Sequence, residues 1–73
     1  MDIAQAVSTI EYKIATESEN FEAGQTIKMD INSDWPAEIK LAEALRRKYP
    51  YITLRYDYQA NGAIQMIIAN ERQ

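Results

Sequence analysis

The sequence has neither cysteine nor histidine, and these two absences exclude several kinds of site. Without cysteine, the chain can form neither a disulfide nor a thiolate metal site. Without histidine, it lacks the commonest metal ligand and the commonest general base. Serine and threonine are present, but no histidine can activate them as nucleophiles. We therefore expect a protein that is not an enzyme and that holds no metal or other cofactor.

Glycine and long apolar runs are also scarce. Only Gly24 and Gly62 occur, which excludes a glycine-rich phosphate-binding loop. No apolar run approaches the roughly 20 residues of a membrane helix, and the start Met1-Asp2-Ile3 is not typical of a secretory signal. We expect a cytoplasmic protein with no membrane partner.

The length and composition predict one small globular domain that spans residues 1–73. Of the 73 residues, 47% are hydrophobic and 26% are charged, which is typical of a folded chain. A domain of this size buries only about 60% of its unfolded surface, so its stability is marginal. Such a chain has reason to dimerise through an exposed strand edge or an open sheet face.

The central part of the chain predicts a helix over residues 35–48. Ser33-Asp34-Trp35-Pro36 is a typical helix start, and Pro50 ends the segment. Arg46, Arg47 and Lys48 would lie at the negative end of the helix dipole. The expected apolar stripe consists of Trp35, Ile39, Leu41, Ala42, Leu45 and Tyr49.

After Pro50 the apolar residues alternate, which predicts strands over residues 52–58 and 64–69. A three-residue loop, Ala60-Asn61-Gly62, gives a register in which every apolar residue faces an apolar one, since opposed residues share a face. We therefore expect a type I turn with Gly62 in the left-handed conformation. The expected pairs are Tyr58 with Ile64, Tyr56 with Met66, and Leu54 with Ile68.

The part before the helix predicts a strand over residues 27–31, whereas the first 24 residues fit two patterns. The alternation of Ile10, Tyr12 and Ile14 and a high density of β-branched residues favour a strand. A helical spacing of apolar residues and a capping box from Asp2 and Gln5 favour a helix. We favour the strand and keep the helix as the alternative.

The expected fold is therefore α+β, with one main helix packed on one face of a small antiparallel-rich sheet. The order is ββαββ, or αβαββ if the N-terminal segment is helical. The uncovered face of the sheet would be mostly polar. It would carry Lys28, Asp30, Thr53, Arg55, Asp57 and Gln65 around Ile67, joined by Glu11 and Lys13 in the first version.

The net charge of −3 conceals two halves of opposite sign. Residues 1–38 have a balance of −6, and residues 39–73 have a balance of +3. The two halves could form two solvated faces of opposite charge or the complementary surfaces of a homodimer.

Two clusters are candidates for binding a partner. The acidic patch, Glu17, Glu19, Phe21 and Glu22, combines carboxylates with an aromatic anchor and would suit a basic protein surface. The basic patch, Arg46, Arg47, Lys48, Tyr51 and Arg55, is the alternative. It would suit nucleic acid, through phosphate contacts and base stacking. The acidic overall balance makes the nucleic-acid hypothesis the weaker one.

One segment begins with Asp34-Trp35-Pro36, continues through Ala44-Leu45-Arg46-Arg47-Lys48-Tyr49-Pro50-Tyr51 and ends at Tyr56. It resembles the helix-to-strand segment of YubB-like ferredoxin-like domains. These domains occur in uncharacterised plasmid and phage proteins. The similarity covers about a third of the chain and concerns packing residues, so it implies an α+β sandwich and an origin in a mobile element. It implies no functional residue.

These observations lead to one functional hypothesis and two alternatives. We expect a small phage or mobile-element protein that inhibits a nucleic-acid-handling or defence complex of its bacterial host, in an anti-CRISPR-like or anti-restriction-like manner. It would do so by binding a host protein through the acidic patch. The alternatives are a nucleic-acid-binding regulator that uses the basic patch and a homodimeric structural module.

Overall fold

The computed structural model describes residues 1–18 and 20–72, which fold into two helices and three strands in the order αβαββ. The elements are α1 (Ile3–Glu17), β1 (Thr26–Ile31), α2 (Glu38–Lys48), β2 (Ile52–Tyr58) and β3 (Ile64–Asn70). The strands form an antiparallel sheet in the order β1-β3-β2. The α+β class is therefore confirmed, with the order that we treated as the alternative.

The favoured N-terminal strand was wrong, because residues 3–17 form α1. The capping box is present: the Asp2 side chain accepts the Gln5 N–H, and the Gln5 side chain accepts the Asp2 N–H. In this helix Ile10 is fully buried, whereas Tyr12 is 72% exposed. The period of the apolar residues and the helix cap thus outweigh the preference of β-branched residues for strands. Glu11 and Lys13 consequently lie on α1 and do not join the open face of the sheet.

The second helix begins at Glu38, three residues later than expected, and ends at Lys48 as predicted. Its N-cap residue, Ala37, makes no side-chain capping bond. The Glu38 carboxylate instead accepts the backbone N–H of Tyr56, which ties the first turn of α2 to β2.

The apolar stripe of α2 is narrower than we expected. Leu41 and Leu45 are fully buried, but Ile39 is 73% exposed. The prediction for Ile39 was wrong, because α2 presents the Leu41 side of its surface to the sheet.

The hairpin prediction is confirmed. Residues Leu54, Tyr56 and Tyr58 pair with Ile68, Met66 and Ile64, respectively. Gln59 and Ala63 close a three-residue loop, in which the Gly62 N–H donates to the Gln59 carbonyl at 3.1 Å. Gly62 has a φ of +88°, and none of the non-glycine residues described has a positive φ, as the predicted turn requires.

Both helices cover the same face of the sheet, and the core lies between them and the strands. Its fully buried side chains come from both helices and from the central strand β3: Ala6, Ile10, Leu41, Leu45, Met66 and Ile68. The expected polar residues lie on the other face of the sheet, the open face, which neither α1 nor α2 covers. Neither of the two helices is long and apolar enough to cross a membrane.

Candidate partner-binding site

A groove opens where α2 passes into β2, beside the C-terminal half of α1. It has a volume of about 450 Å³. We call it the junction groove and define it by its six aromatic or charged lining residues: Glu11, Phe21, Lys48, Tyr49, Tyr51 and Arg72. Three aromatic rings and three charged groups thus surround a space large enough for one or two side chains of a partner.

Local backbone bonds hold the wall of the groove that connects α2 to β2. The Tyr49 N–H donates to the Leu45 carbonyl at 2.8 Å and so ends α2, just before Pro50 interrupts helical bonding. The Ile52 N–H then donates to the Tyr49 carbonyl at 3.0 Å. Because the chain reverses so tightly, Tyr49 and Tyr51 both line the groove.

One side of the groove contains a small charged cluster. The Glu11 carboxylate on α1 accepts a hydrogen bond from the Tyr49 hydroxyl and forms an ion pair with Lys48 Nζ at 2.8 Å. The hydrogen bonds from Lys48 and Tyr49 lower the pKa of Glu11, and the bond to Glu11 raises the pKa of both Lys48 and Tyr49. The cluster therefore joins α1 to the C-terminal end of α2.

The opposite side of the groove is formed by Tyr51 and the C-terminal residues. The guanidinium carbon of Arg72 lies 4.8 Å from the centroid of the Tyr51 ring, within the range of a cation–π contact. Tyr51 is 51% exposed, so part of its ring remains available to a partner. The side-chain amide of Asn70 donates to the Phe21 carbonyl at 2.7 Å and fixes the end of the groove.

The acidic patch lies beside this groove and shares Phe21 with it. Phe21 is half-buried and packs against the core, and it also lines the junction groove. Glu17 and Glu22 are exposed, and Glu17 forms an ion pair with Lys13 at 2.6 Å. Glu19 lies outside the described residues.

The loop that carries Glu22 is organised by Gln25. The Gln25 side-chain oxygen accepts the Glu22 N–H at 2.7 Å and the Ser18 hydroxyl at 3.3 Å. The Gln25 N–H in turn donates to the Glu22 carbonyl at 3.1 Å. Glu22 is therefore held close to the end of α1 that carries Glu17.

The basic patch is divided among three surfaces. Lys48 and Tyr51 line the junction groove. Arg46 and Arg47 line a second groove, between α2 and β2. Arg55 lies on the open face of the sheet, opposite Ile67 of β3. The five residues therefore do not form one continuous surface.

Sequence reasoning missed Glu11 and Arg72 as members of the site. Glu11 was assigned to a strand, where it would have faced away from Lys48. The contact between Arg72 and Tyr51 depends on the path of the chain after β3, where the Glu71 N–H donates to the Tyr51 carbonyl at 2.8 Å. No local sequence pattern signals that bond.

Replacing Glu11 with glutamine should destabilise the fold at neutral pH and much less in acid. Because the pKa of Glu11 is lowered in the fold, its ionised form contributes stability above its ordinary pKa, and this contribution is lost as the pH falls through the lowered value. Urea unfolding should show a midpoint lower by about 0.2–0.5 M at pH 7, with the difference closing towards about pH 3. The control is Glu43→Gln, at an exposed position of α2. A difference that stays constant with pH would contradict the role of the charge.

Comparisons with protein-family models, curated proteins and solved structures found no match. Within the part of the chain that the structure describes, no three acidic side chains come together in a way that could hold a metal ion. The resemblance to YubB-like domains remains a prediction.

Proposed function

We propose that this protein acts by binding another protein through one end of the molecule, where the junction groove meets the acidic patch. The observation that supports this proposal is the convergence of Tyr49, Tyr51 and Arg72 on an open groove of about 450 Å³. Tyrosine and arginine are among the residues that carry most of the binding energy at protein interfaces, especially where they line a pocket. The groove would receive an apolar side chain of the partner.

The charges around the groove indicate the chemistry of the partner. Arg72 would attract a carboxylate beside that apolar side chain, since the charge of Lys48 is already paired with Glu11. The exposed Glu22, together with Glu17, would attract a basic surface next to it. A basic surface is typical of proteins that handle nucleic acid. We therefore propose that the partner is a nucleic-acid-handling or defence protein of a bacterial host, which this protein would inhibit by covering its basic surface.

Direct binding of nucleic acid is less well supported. A strand of nucleic acid is held by several cations along one path. Here Arg46 and Arg47, Lys48, and Arg55 lie on three different surfaces. We therefore treat nucleic acid as an outcome that the experiment must distinguish from a protein.

The experiment is a capture of partners from bacterial lysate with a tagged protein, with and without nuclease, read by mass spectrometry. Two variants alter the site: Glu17→Lys with Glu22→Lys, and Tyr51→Ala with Arg72→Ala. Two controls make matched changes elsewhere: Glu43→Lys on α2, and Tyr12→Ala on the exposed side of α1. Circular dichroism establishes that every variant is folded.

The proposal predicts one protein captured at about equal stoichiometry with the bait in the presence of nuclease. Both controls should retain it, and both site variants should lose at least about 90% of it, which from near-stoichiometric capture corresponds to roughly a hundredfold or greater loss of affinity. Retention by the Tyr51→Ala, Arg72→Ala variant would remove the groove from the interface. Recovery of nucleic acid alone, lost on nuclease treatment, would overturn the proposal in favour of the basic patch.

A further inference from the structure

The open face of the sheet carries its charges in two rows that lie across the strands. The strand register places each row on three neighbouring strands, two residues apart along them. We call them the acidic row and the basic row. The acidic row is Asp30, Gln65 and Asp57, and the basic row is Lys28, Ile67 and Arg55.

The four charged groups of these rows are exposed. Within residues 1–18 and 20–72, the two ion pairs are Lys13–Glu17 and Lys48–Glu11, and neither involves this face. The Asp57 carboxylate accepts a hydrogen bond from the neutral Gln59 side chain at 3.0 Å, so its negative charge is not compensated by that bond. The rows are thus ordered by the sheet and are not paired with one another.

We propose that the open face binds the same face of a second copy of this chain, related by a two-fold axis that lies across the strands between the two rows. A rotation about that axis places the acidic row of each copy on the basic row of the other. Asp30 would then face the Lys28 side chain of the second copy, and Asp57 would face its Arg55. A contact that is made twice in this way is what a closed dimer requires.

The charge pattern selects this orientation over the simplest alternative. A two-fold axis parallel to the strands would place each row opposite the same row of the second copy. Aspartate would then face aspartate, and lysine would face arginine. Facing sheets pack about 10 Å apart, a separation that lysine and arginine side chains can bridge. At the centre, the half-buried Ile67 would pack on the aliphatic part of Gln65 from the second copy.

The size of the face predicts a weak dimer. With strands about 4.8 Å apart and rows about 6.8 Å apart, the three rows that cross all three strands give a footprint of roughly 300 Å² on each copy. Stable interfaces bury about 800 Å² on each partner. We therefore expect association at roughly 10–1000 µM, which weakens as salt is added.

Sedimentation equilibrium over this concentration range tests the proposal with two complementary variants. Lys28→Glu with Arg55→Glu makes every charge of the two rows acidic, and Asp30→Lys with Asp57→Lys makes every charge basic. Each variant alone should associate at least about tenfold more weakly than the wild type, and an equimolar mixture of the two should recover the association. The control is Lys40→Glu, at an exposed position of α2.

A third variant tests the orientation. It exchanges the rows, with Lys28→Asp, Asp30→Lys, Arg55→Asp and Asp57→Arg. It should dimerise with itself as the wild type does but should not form mixed dimers with the wild type, because like charges would then face each other. A wild type that stays monomeric up to about 1 mM, or an all-acidic variant that associates as strongly as the wild type, would overturn the proposal. Mixed dimers formed as readily as the parent dimers would overturn the orientation.

Discussion

Replacing Ile10 with aspartate is expected to unfold the protein, whereas the same replacement at Tyr12 is expected to leave it folded. Ile10 is fully buried in the core, so the substitution removes apolar contacts and places a carboxylate in a core where none of the described buried residues is polar or charged. Losing the buried isoleucine side chain alone costs about 2–5 kcal/mol. A domain of this size has a total stability of roughly 4–11 kcal/mol, so little or none would remain.

Tyr12 provides a matched test of the same segment. It is 72% exposed on the outer side of α1, so Tyr12→Asp should cost less than about 1 kcal/mol, mostly through the lower helix propensity of aspartate. Far-UV circular dichroism and urea unfolding of both variants make the comparison. If the segment were a strand, Ile10 and Tyr12 would lie on one face, and the two substitutions would be about equally damaging. That result would contradict α1.

The segments that the sequence predicts well are those in which a short stretch of chain determines the outcome. A three-residue loop matches apolar residues across the two strands of the hairpin, whereas a two-residue loop does not, and Gly62 can adopt the left-handed conformation at the end of the loop. The alternation of side chains along the strands and the conformational freedom of Gly62 were enough to predict the loop. The strand bounds and the register of β2 with β3 followed from them.

The N-terminal segment could not be decided in this way, because its sequence satisfies both periods. Ile10 and Ile14 lie on one face of a strand and also on one face of a helix. What distinguishes the two structures is where the rest of the chain lies, since Ala6 and Ile10 fill the space between the sheet and α2. The capping box at Asp2 is the local signal that fits the helix and not the strand, because a strand has no N-cap.

The candidate site also depends on whether the N-terminal segment is a helix or a strand. Once α1 is a helix, Glu11 faces Lys48 and Tyr49, and the junction groove forms between them and Tyr51. With a strand in its place, the sequence could identify Lys48 and Tyr51 as candidates but could not bring Glu11 to them. It also grouped Arg55 with them, although the side chains of a strand alternate between two faces and Arg55 belongs to the uncovered one.

A second comparison, Leu45→Ala against Ile39→Ala, tests the face that α2 presents to the sheet. Both residues belong to the apolar stripe that the sequence predicts. In the structure, Leu45 is fully buried against the core, whereas Ile39 is 73% exposed. Leu45→Ala should therefore lower the free energy of unfolding by about 2–5 kcal/mol, through lost contacts and a residual cavity.

Ile39→Ala should change the free energy of unfolding by less than about 0.5 kcal/mol, because alanine also has the higher helix propensity. Urea unfolding at neutral pH measures both changes. If the free energy of unfolding falls with urea concentration at the same slope in both variants, the two expose the same amount of surface on unfolding. Equal losses at the two positions would mean that α2 is rotated towards the groove lined by Arg46 and Arg47. A near-zero effect at Ile39 would instead leave it as an exposed apolar side chain between α2 and β2, whose removal can be tested in partner binding without loss of the fold.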